Sequence, residues 1–398
     1  MKKTLINLSL CLLCIAFTYA QKTKFKTGKT SSKNYFTAIK YKDVRGKIII
    51  PVSIQDSTYY FLFDTGAPNV ISSNLLNVVK HSSKKNLTVS DSNDRKQRMD
   101  LTTLQSITIG DLEFTNTSAL VFDGDNNILF DCFEIDGIIG SNLLQKSIVQ
   151  INSKTQELIL TNSIDNLDLK SETPTKLFIN NGQGSPYIQI QLKGKNNVSE
   201  KLLFDTGASG FYDMSKQHLS LFKEQKVATH VLSSEGSAGI GLFGASEANT
   251  TYRLTIPEIS INNHVFTNVM TETTDDKNSR IGSDIFKYGV VTLDFRKRHF
   301  YFNSFNERAN LMEKQLGFTP IVQNNKLIVG VVWDRQLKGK ISYGDEIVSI
   351  NNIKFSNANV CDLIAKESPF KSSDTLEIAF KNKDNKINRF TLKRTFQD

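Results

Sequence analysis

Two aspartates, Asp64 and Asp205, lie in nearly identical surroundings: FLFDTGA at residues 61–67 and LLFDTGA at residues 202–208 differ at one position in seven. Each acid follows three large apolar residues, at the end of what reads as a buried strand. A carboxylate there is costly unless it is hydrogen-bonded or its charge state is used. One Asp-Thr-Gly by itself is a turn, with Asp bonding its own backbone and Gly supplying positive φ. Two copies brought face to face can do more. Carboxylates that close cannot both ionise comfortably, so they share a proton and titrate as a pair. The ionised member takes a proton from a water held between them, and the protonated member donates to a carbonyl oxygen under attack. That is a general base and a general acid for peptide hydrolysis with neither a covalent intermediate nor a metal. Thr65 and Thr206 are short hydroxyls able to lock the two loops together. Gly66 and Gly207 permit close backbone approach and offer N–H groups to the carboxylates.

A duplication is what would bring such acids together. GSNLLQKSIVQINSKTQELIL (140–160) and GSDIFKYGVVTLDFRKRHFYF (282–302) align without a gap, Gly140 on Gly282, Ile148 on Val290, Asn152 on Asp294 and Leu160 on Phe302. The offset is 141 at the first match and 142 at the second. Two matches in the same order at nearly the same spacing indicate two lobes of roughly 120–140 residues, an ordinary domain size. A pseudo-twofold pairing of the lobes sets Asp64 opposite Asp205. GKIIIPVSI (46–54) and YIQIQL (187–192) open the lobes as strands, rich in branched residues, the second strictly alternating. LTTLQSITIGDLEF and YRLTIPEISINNHVF predict strand pairs around Gly-Asp and Asn-Asn turns. The helix expected in each lobe is short and begins near Ser141 or Ser283. Ile138-Ile139-Gly140 is expected to floor the first loop, whereas Arg280 takes the place of Ile138 in the second lobe. The polar stretch 161–176, with its proline, reads as a linker.

With FDTGA present twice, each followed by a hydrophobic-Gly motif and an amphipathic strand pair, the chain resembles a pepsin-like or retropepsin-like aspartic protease with both lobes on one polypeptide, over about residues 47–305. Ala67 and Ala208, after the glycines, are closer to the retroviral type. The resemblance implies a mainly β fold, a bilobal pair of acid-protease-like β-barrels. It also implies Asp64 and Asp205 as the catalytic dyad, with Thr65, Gly66, Thr206 and Gly207 in support. No cofactor and no metal are implied. A flap tyrosine of the pepsin kind has no counterpart in SDSNDRKQRMD (90–100). The flap is therefore expected on the second lobe, in EGSAGIGLFGA (235–245), tipped by Gly241, Leu242 and Phe243.

The last ninety or so residues repeat neither lobe. NERANLMEKQ (306–315) has helical composition, and a third, small α+β module follows. This module resembles a PDZ domain, most recognisably in GDEIVSINN (344–352). The resemblance implies that Leu316, Gly317 and Phe318 form a carboxylate-binding loop for a peptide's C-terminus, the peptide adding a strand.

Residues 1–20, with Lys2 and Lys3 before an apolar run and Thr18-Tyr19-Ala20 after it, read as a signal peptide cleaved after Ala20. Export to the periplasm or beyond the cell is expected, with no stable membrane anchor, the apolar run being short for a roughly 20-residue span. Cys132 and Cys361 then remain, in different domains, with no C-x-x-C metal spacing. The net charge of +9 comes without a dense basic stripe, so no nucleic-acid partner is expected. The five histidines show no metal-ligand spacing, no G-x-S-x-G elbow is present, and Gly239-x-Gly241-x-x-Gly244 follows no βαβ pattern.

The expected organisation is a signal peptide (1–20), a basic N-terminal segment (21–46), protease lobes at 47–165 and 175–305, and the PDZ-like domain at 310–398. The expected activity is that of an exported aspartic endopeptidase acting on polypeptides as a monomer, its last domain recruiting substrate or partner. Two alternatives stand beside it. One is a non-catalytic peptide-binding scaffold, favoured by Arg280. The other is a zymogen whose basic segment 21–33 covers the cleft.

Overall fold

A computed structural model describes residues 25, 27–122, 127–169, 173–180, 182–355 and 360–396. The proposed signal peptide lies outside these residues. The fold is mainly β.

In the first half, Lys47–Ile54 and Ser57–Asp64 form a hairpin paired from Ile49↔Leu62 to Ile54↔Ser57. Phe61 and Phe63 point inward and are almost fully buried, alternation that follows from the two-residue period of a strand. Each such side chain contributes about 1.5–3 kcal/mol by leaving water. The strand's far end carries Asp64 out of this apolar layer. Gly137–Gly140 runs parallel beside it, with Ile138↔Leu62, Ile139↔Phe63 and Gly140↔Asp64 in register.

The second half repeats the arrangement. Pro186–Lys193 pairs with Asn197–Phe204, and Arg280–Ile281 lies parallel to the latter with Arg280↔Leu203 and Ile281↔Phe204. Arg280 therefore holds the structural position that Ile138 holds in the first half. The halves meet in a six-stranded sheet. At its centre Ile148–Asn152 is antiparallel to Gly289–Asp294, the two strands drawn from the gapless sequence repeat. Gln150 Nε2 donates to Thr292 Oγ1 across this junction at 3.0 Å.

The short helix at Ser141–Leu144 and the 3₁₀ turn at Ser283–Lys287 lie where the sequence puts them. Short helices at Ser73–Leu76, Ile128–Phe133 and Leu219–Glu224 add to them. The helix predicted over 306–315 is not formed. Arg308–Asn310 is instead a strand parallel to Val265, Phe266 and Thr267 on His264–Thr274, because the free edge of that strand offers backbone partners that outweigh a weak helical preference. Of the basic segment, Thr27–Lys29 pairs with Leu112–Phe122 on the outer edge of the first half, and Phe36–Lys40 joins the central sheet. None of its described residues up to 33 lines the cleft.

The C-terminal unit has its own core, which includes Phe318, Val329, Ile347, Ile378 and Phe380. Its sheet is nevertheless continuous with the second half. Thr229–Gly236 meets Lys326–Val332 at Gly236↔Val331, and Ser234 Oγ donates to Val332 O at 2.6 Å. A disulfide between Cys132 and Cys361 joins Ile128–Phe133 to the helix Val360–Ala365, so the unit is tied to both halves. The two cysteines stand too far apart in the sequence for any spacing rule to pair them. We expect Cys132→Ser with Cys361→Ser to lose on the order of 2–4 kcal/mol of stability. In thermal melts, reductant should lower the wild-type midpoint and leave the double variant's unchanged.

Candidate active site

The two Asp-Thr-Gly loops interlock. Thr65 N donates to Thr206 Oγ1 at 3.0 Å and Thr206 N to Thr65 Oγ1 at 3.1 Å. Each hydroxyl then donates across the axis to the carbonyl before the opposite aspartate, Thr65 Oγ1 to Phe204 O at 2.6 Å and Thr206 Oγ1 to Phe63 O at 2.8 Å. Both threonines are fully buried, so these four bonds satisfy groups that have no water to turn to.

The glycines are required by approach. A Cβ on Gly66 would lie 2.6 Å from the Asp205 carboxyl carbon, and one on Gly207 would lie 2.2 Å from Asp64 Oδ2. Each glycine thus clears space for the opposite half's acid. Within each loop the carboxylate is held alike: Gly66 N and Ala67 N donate to Asp64 Oδ1 at 2.8 and 3.1 Å, and Gly207 N and Ala208 N to Asp205 Oδ1 at 3.0 and 3.1 Å.

The Asp64 and Asp205 carboxyls face one another across the interlocked loops, each set close against the opposite half's glycine. Burial, and then the charge of Asp205, push the Asp64 carboxyl up to about 7, against the pull of the Gly66 N–H and the Lys47 ammonium. Asp213 is pushed up to about 6, again mainly by burial, with Arg280 opposing. Both acids therefore bind protons more tightly folded than unfolded. Their contribution to stability is fully present below the ordinary carboxylate value and is lost as pH rises toward their folded values. Asp64→Asn should remove its share of that loss, on the order of a few kcal/mol at most. Chemical denaturation should show the variant gaining on the wild type from about pH 4 to pH 7 and losing that advantage in acid.

Sequence reasoning leaves two cations at this site without a role. Arg280 Nη1 lies 3.4 Å from Asp205 Oδ2, its Nη2 3.0 Å from Asp276 Oδ2 and its Nε 3.9 Å from Asp213 Oδ2. Lys47 Nζ donates to Gly207 O, and burial holds its ammonium below the usual lysine value, with Asp205, Asp64 and Asp213 opposing. A basic residue at the head of a strand whose next three residues are all Ile was the available signal for Lys47.

The roof has two sides. The candidate flap on the second half forms a small hairpin from Ile240–Gly241 and Gly244–Ala245. It does not close alone. The tip between His81–Ser90 and Lys96–Ile109 of the first half meets it. Asn93 Nδ2 donates to Gly244 O at 3.0 Å, Arg95 Nη1 to Ala245 O at 3.0 Å, and Phe243 N to Asp91 Oδ2 at 2.9 Å. Asn127 Nδ2 donates to Leu242 O at 2.9 Å, and the Phe243 ring stacks on Phe122 at 6.4 Å. The cover expected from the second lobe is joined by the polar 90–96 tip of the first half, which supplies donors and an acceptor in place of a ring.

One cavity of about 1860 Å³ is lined by both carboxylates, by both tips, and by Pro320, Ile321, Leu363 and Phe370 of the C-terminal unit. Leu316, Gly317 and Phe318 do not line it. Leu316 and Phe318 are buried, and Gly317 O accepts from Trp333 N and Asp334 N at 2.8 and 2.9 Å.

Two β halves sharing a central sheet, with interlocked Asp-Thr-Gly loops at their junction, define an acid-protease-like fold. In agreement, a family model described as aspartyl protease matches residues 50–143, within the first half. Among solved structures, the chain is similar to an aspartic proteinase from Irpex lacteus, at 13% identity and TM-score 0.44, covering 69% of this chain and 98% of that one. It is also similar to conglutin gamma, a basic 7S globulin from lupine seeds, at 13% identity and TM-score 0.41, covering 69% of this chain and 96% of that one. A retropepsin-like aspartic protease from Rickettsia conorii matches at 21% identity and TM-score 0.23, over 33% of this chain and 94% of that one. Nothing among curated proteins matches the sequence.

Proposed function

We propose that the protein is an exported aspartic endopeptidase that hydrolyses polypeptides with a water activated between Asp64 and Asp205. The observation that carries this reading is the pair of carboxyls set face to face at the interlocked loops on one cavity, each braced by two backbone N–H groups. The ionised acid takes a proton from water as the water oxygen bonds to the peptide carbonyl carbon. The protonated acid delivers its proton to the carbonyl oxygen. As the resulting gem-diol collapses, the C–N bond breaks, the first acid returns its proton to the departing nitrogen, and the second recovers one from a diol hydroxyl. The dyad ends as it began, one proton held by two acids.

The PDZ-like unit has the role of holding polypeptide next to the cleft, a role supported by its contribution to the cavity wall. Export rests on the first twenty residues.

The second reading, a non-catalytic peptide-binding scaffold, draws on Arg280 and Lys47, whose charges stand beside the dyad. Digestion of denatured casein by the purified protein between about pH 3 and pH 8, beside an Asp64→Asn, Asp205→Asn double variant, separates the two. Cleavage by the wild type alone supports the protease; no cleavage by either supports the scaffold.

A further inference from the structure

The two halves brace their acids alike but do not set the same charges beside them. Backbone donors, glycine spacing and the threonine bonds match across the pseudo-twofold axis. On the strand packed beside each Asp-bearing strand, however, the first half has Ile138 and the second Arg280, each 6% exposed. Ile138 has no charge to offer. Arg280 sets a guanidinium against the Asp205 carboxylate at 3.4 Å, while its Nε has no hydrogen bond. A twofold-symmetric dyad would place its single proton on either acid equally; a cation on one side removes that degeneracy.

We propose that Arg280 is a positioning residue that assigns the shared proton to Asp64 by stabilising negative charge on Asp205, making Asp205 the general base and Asp64 the general acid. This rests on the protease reading and deepens it. The direction agrees with the upward push on Asp64.

The charged and titratable groups around the pair come from several elements. Asp64 faces it from Ser57–Asp64, Lys47 from Lys47–Ile54, and Tyr187 from Pro186–Lys193. Asp213 faces it from Tyr212–Ser215, Glu272 from His264–Thr274, and Asp276 from the turn that follows. Lys47 acts on both dyad acids, more strongly on Asp205, and so adds to the bias that Arg280 sets. Asp213 and Asp276 share the charge of Arg280 and keep the guanidinium in place. An arginine serving the fold alone would bridge those two acids without approaching Asp205.

The test is the pH profile of kcat/KM on a casein-derived peptide for wild type, Arg280→Lys and Arg280→Met. Losing the cation makes the first proton harder to remove from the dyad. The acidic limb of Arg280→Met should therefore move to higher pH by about one unit or more, a loss of about tenfold in kcat/KM on the acid side. Arg280→Lys, which keeps the charge, should restore most of that shift. Asp276→Asn removes one competitor for the charge of Arg280, whose ion pairs with Asp205 and Asp213 remain available, and should move the limb to lower pH. This variant also decides the matter if Arg280→Met fails to fold. Superimposable limbs in Arg280→Met, or in Asp276→Asn where Arg280→Met cannot be measured, overturn the proposal. So do equal shifts in the Lys and Met variants. Carboxyl-carbon NMR of aspartate-labelled protein reads the same dyad titration without turnover. A wild type that cleaves nothing would therefore defeat the protease reading while leaving the role of Arg280 to be judged by that titration.

Discussion

Asp64→Asn, and separately Asp205→Asn, should lower peptide hydrolysis by a factor of about 10²–10⁴ or more at every pH while leaving the fold intact. The reasoning is specific to this geometry. An asparagine oxygen at either position can still accept the two backbone N–H groups that brace the loop, Gly66 and Ala67 on one side and Gly207 and Ala208 on the other. What is lost is the proton traffic, because an amide can neither take a proton from water nor deliver one to a carbonyl oxygen at neutral pH. Either substitution alone suffices, since one remaining acid cannot be base and acid in the same step. Rates on casein, with circular dichroism to verify folding, are the measurement. Activity within a few-fold of wild type in either variant contradicts the mechanism.

Thr206→Val should destabilise the protein on the order of 2–5 kcal/mol, far more than its change in volume suggests. Removing Oγ1 leaves Thr65 N without its acceptor and Phe63 O without its donor, both at the fully buried junction of the halves. Orphaned polar groups in such a place cost about 1–3 kcal/mol each. Thr206→Ser keeps the hydroxyl and should cost about 1 kcal/mol, the price of one buried methyl. Urea denaturation of the two variants side by side makes the comparison. Similar losses in both would show that packing, rather than the hydroxyl exchange, holds the loops together.

The parts of the site legible in the sequence are those whose contacts are local or repeated. An aspartate that binds the N–H groups two and three residues onward writes its own signature, Asp-Thr-Gly-Ala, and the repeat writes it twice. The two middle strands of the central sheet come from the matched segments, but the repeat alone does not say that they pair with one another. Arg280 was visible only as a break in an apolar pair, because its partners Asp205, Asp213 and Asp276 arrive from three places in the second half. The 90–96 tip could not be recognised as half of the roof, because its partners at 243–245 lie about 150 residues away and most bind through backbone carbonyls that any residue supplies. The Cys132–Cys361 bond spans 229 residues between a short helix of the first half and one of the C-terminal unit, and no spacing rule reaches that far. At 308–310 a strand edge overrode helical composition, a decision made by tertiary structure.

Calorimetric binding of a statine-containing peptide, compared with the same peptide carrying an ordinary amide at that position, reaches the heart of the matter most directly. On the proposed mechanism, the statine hydroxyl takes the place of the attacking water between Asp64 and Asp205. Transition-state mimics gain about 10²-fold or more over substrate-like ligands when a site is built for the transition state. That gain should appear with the wild type and vanish with Asp205→Asn. Equal affinities for the two peptides, or a gain that survives Asp205→Asn, would contradict the account.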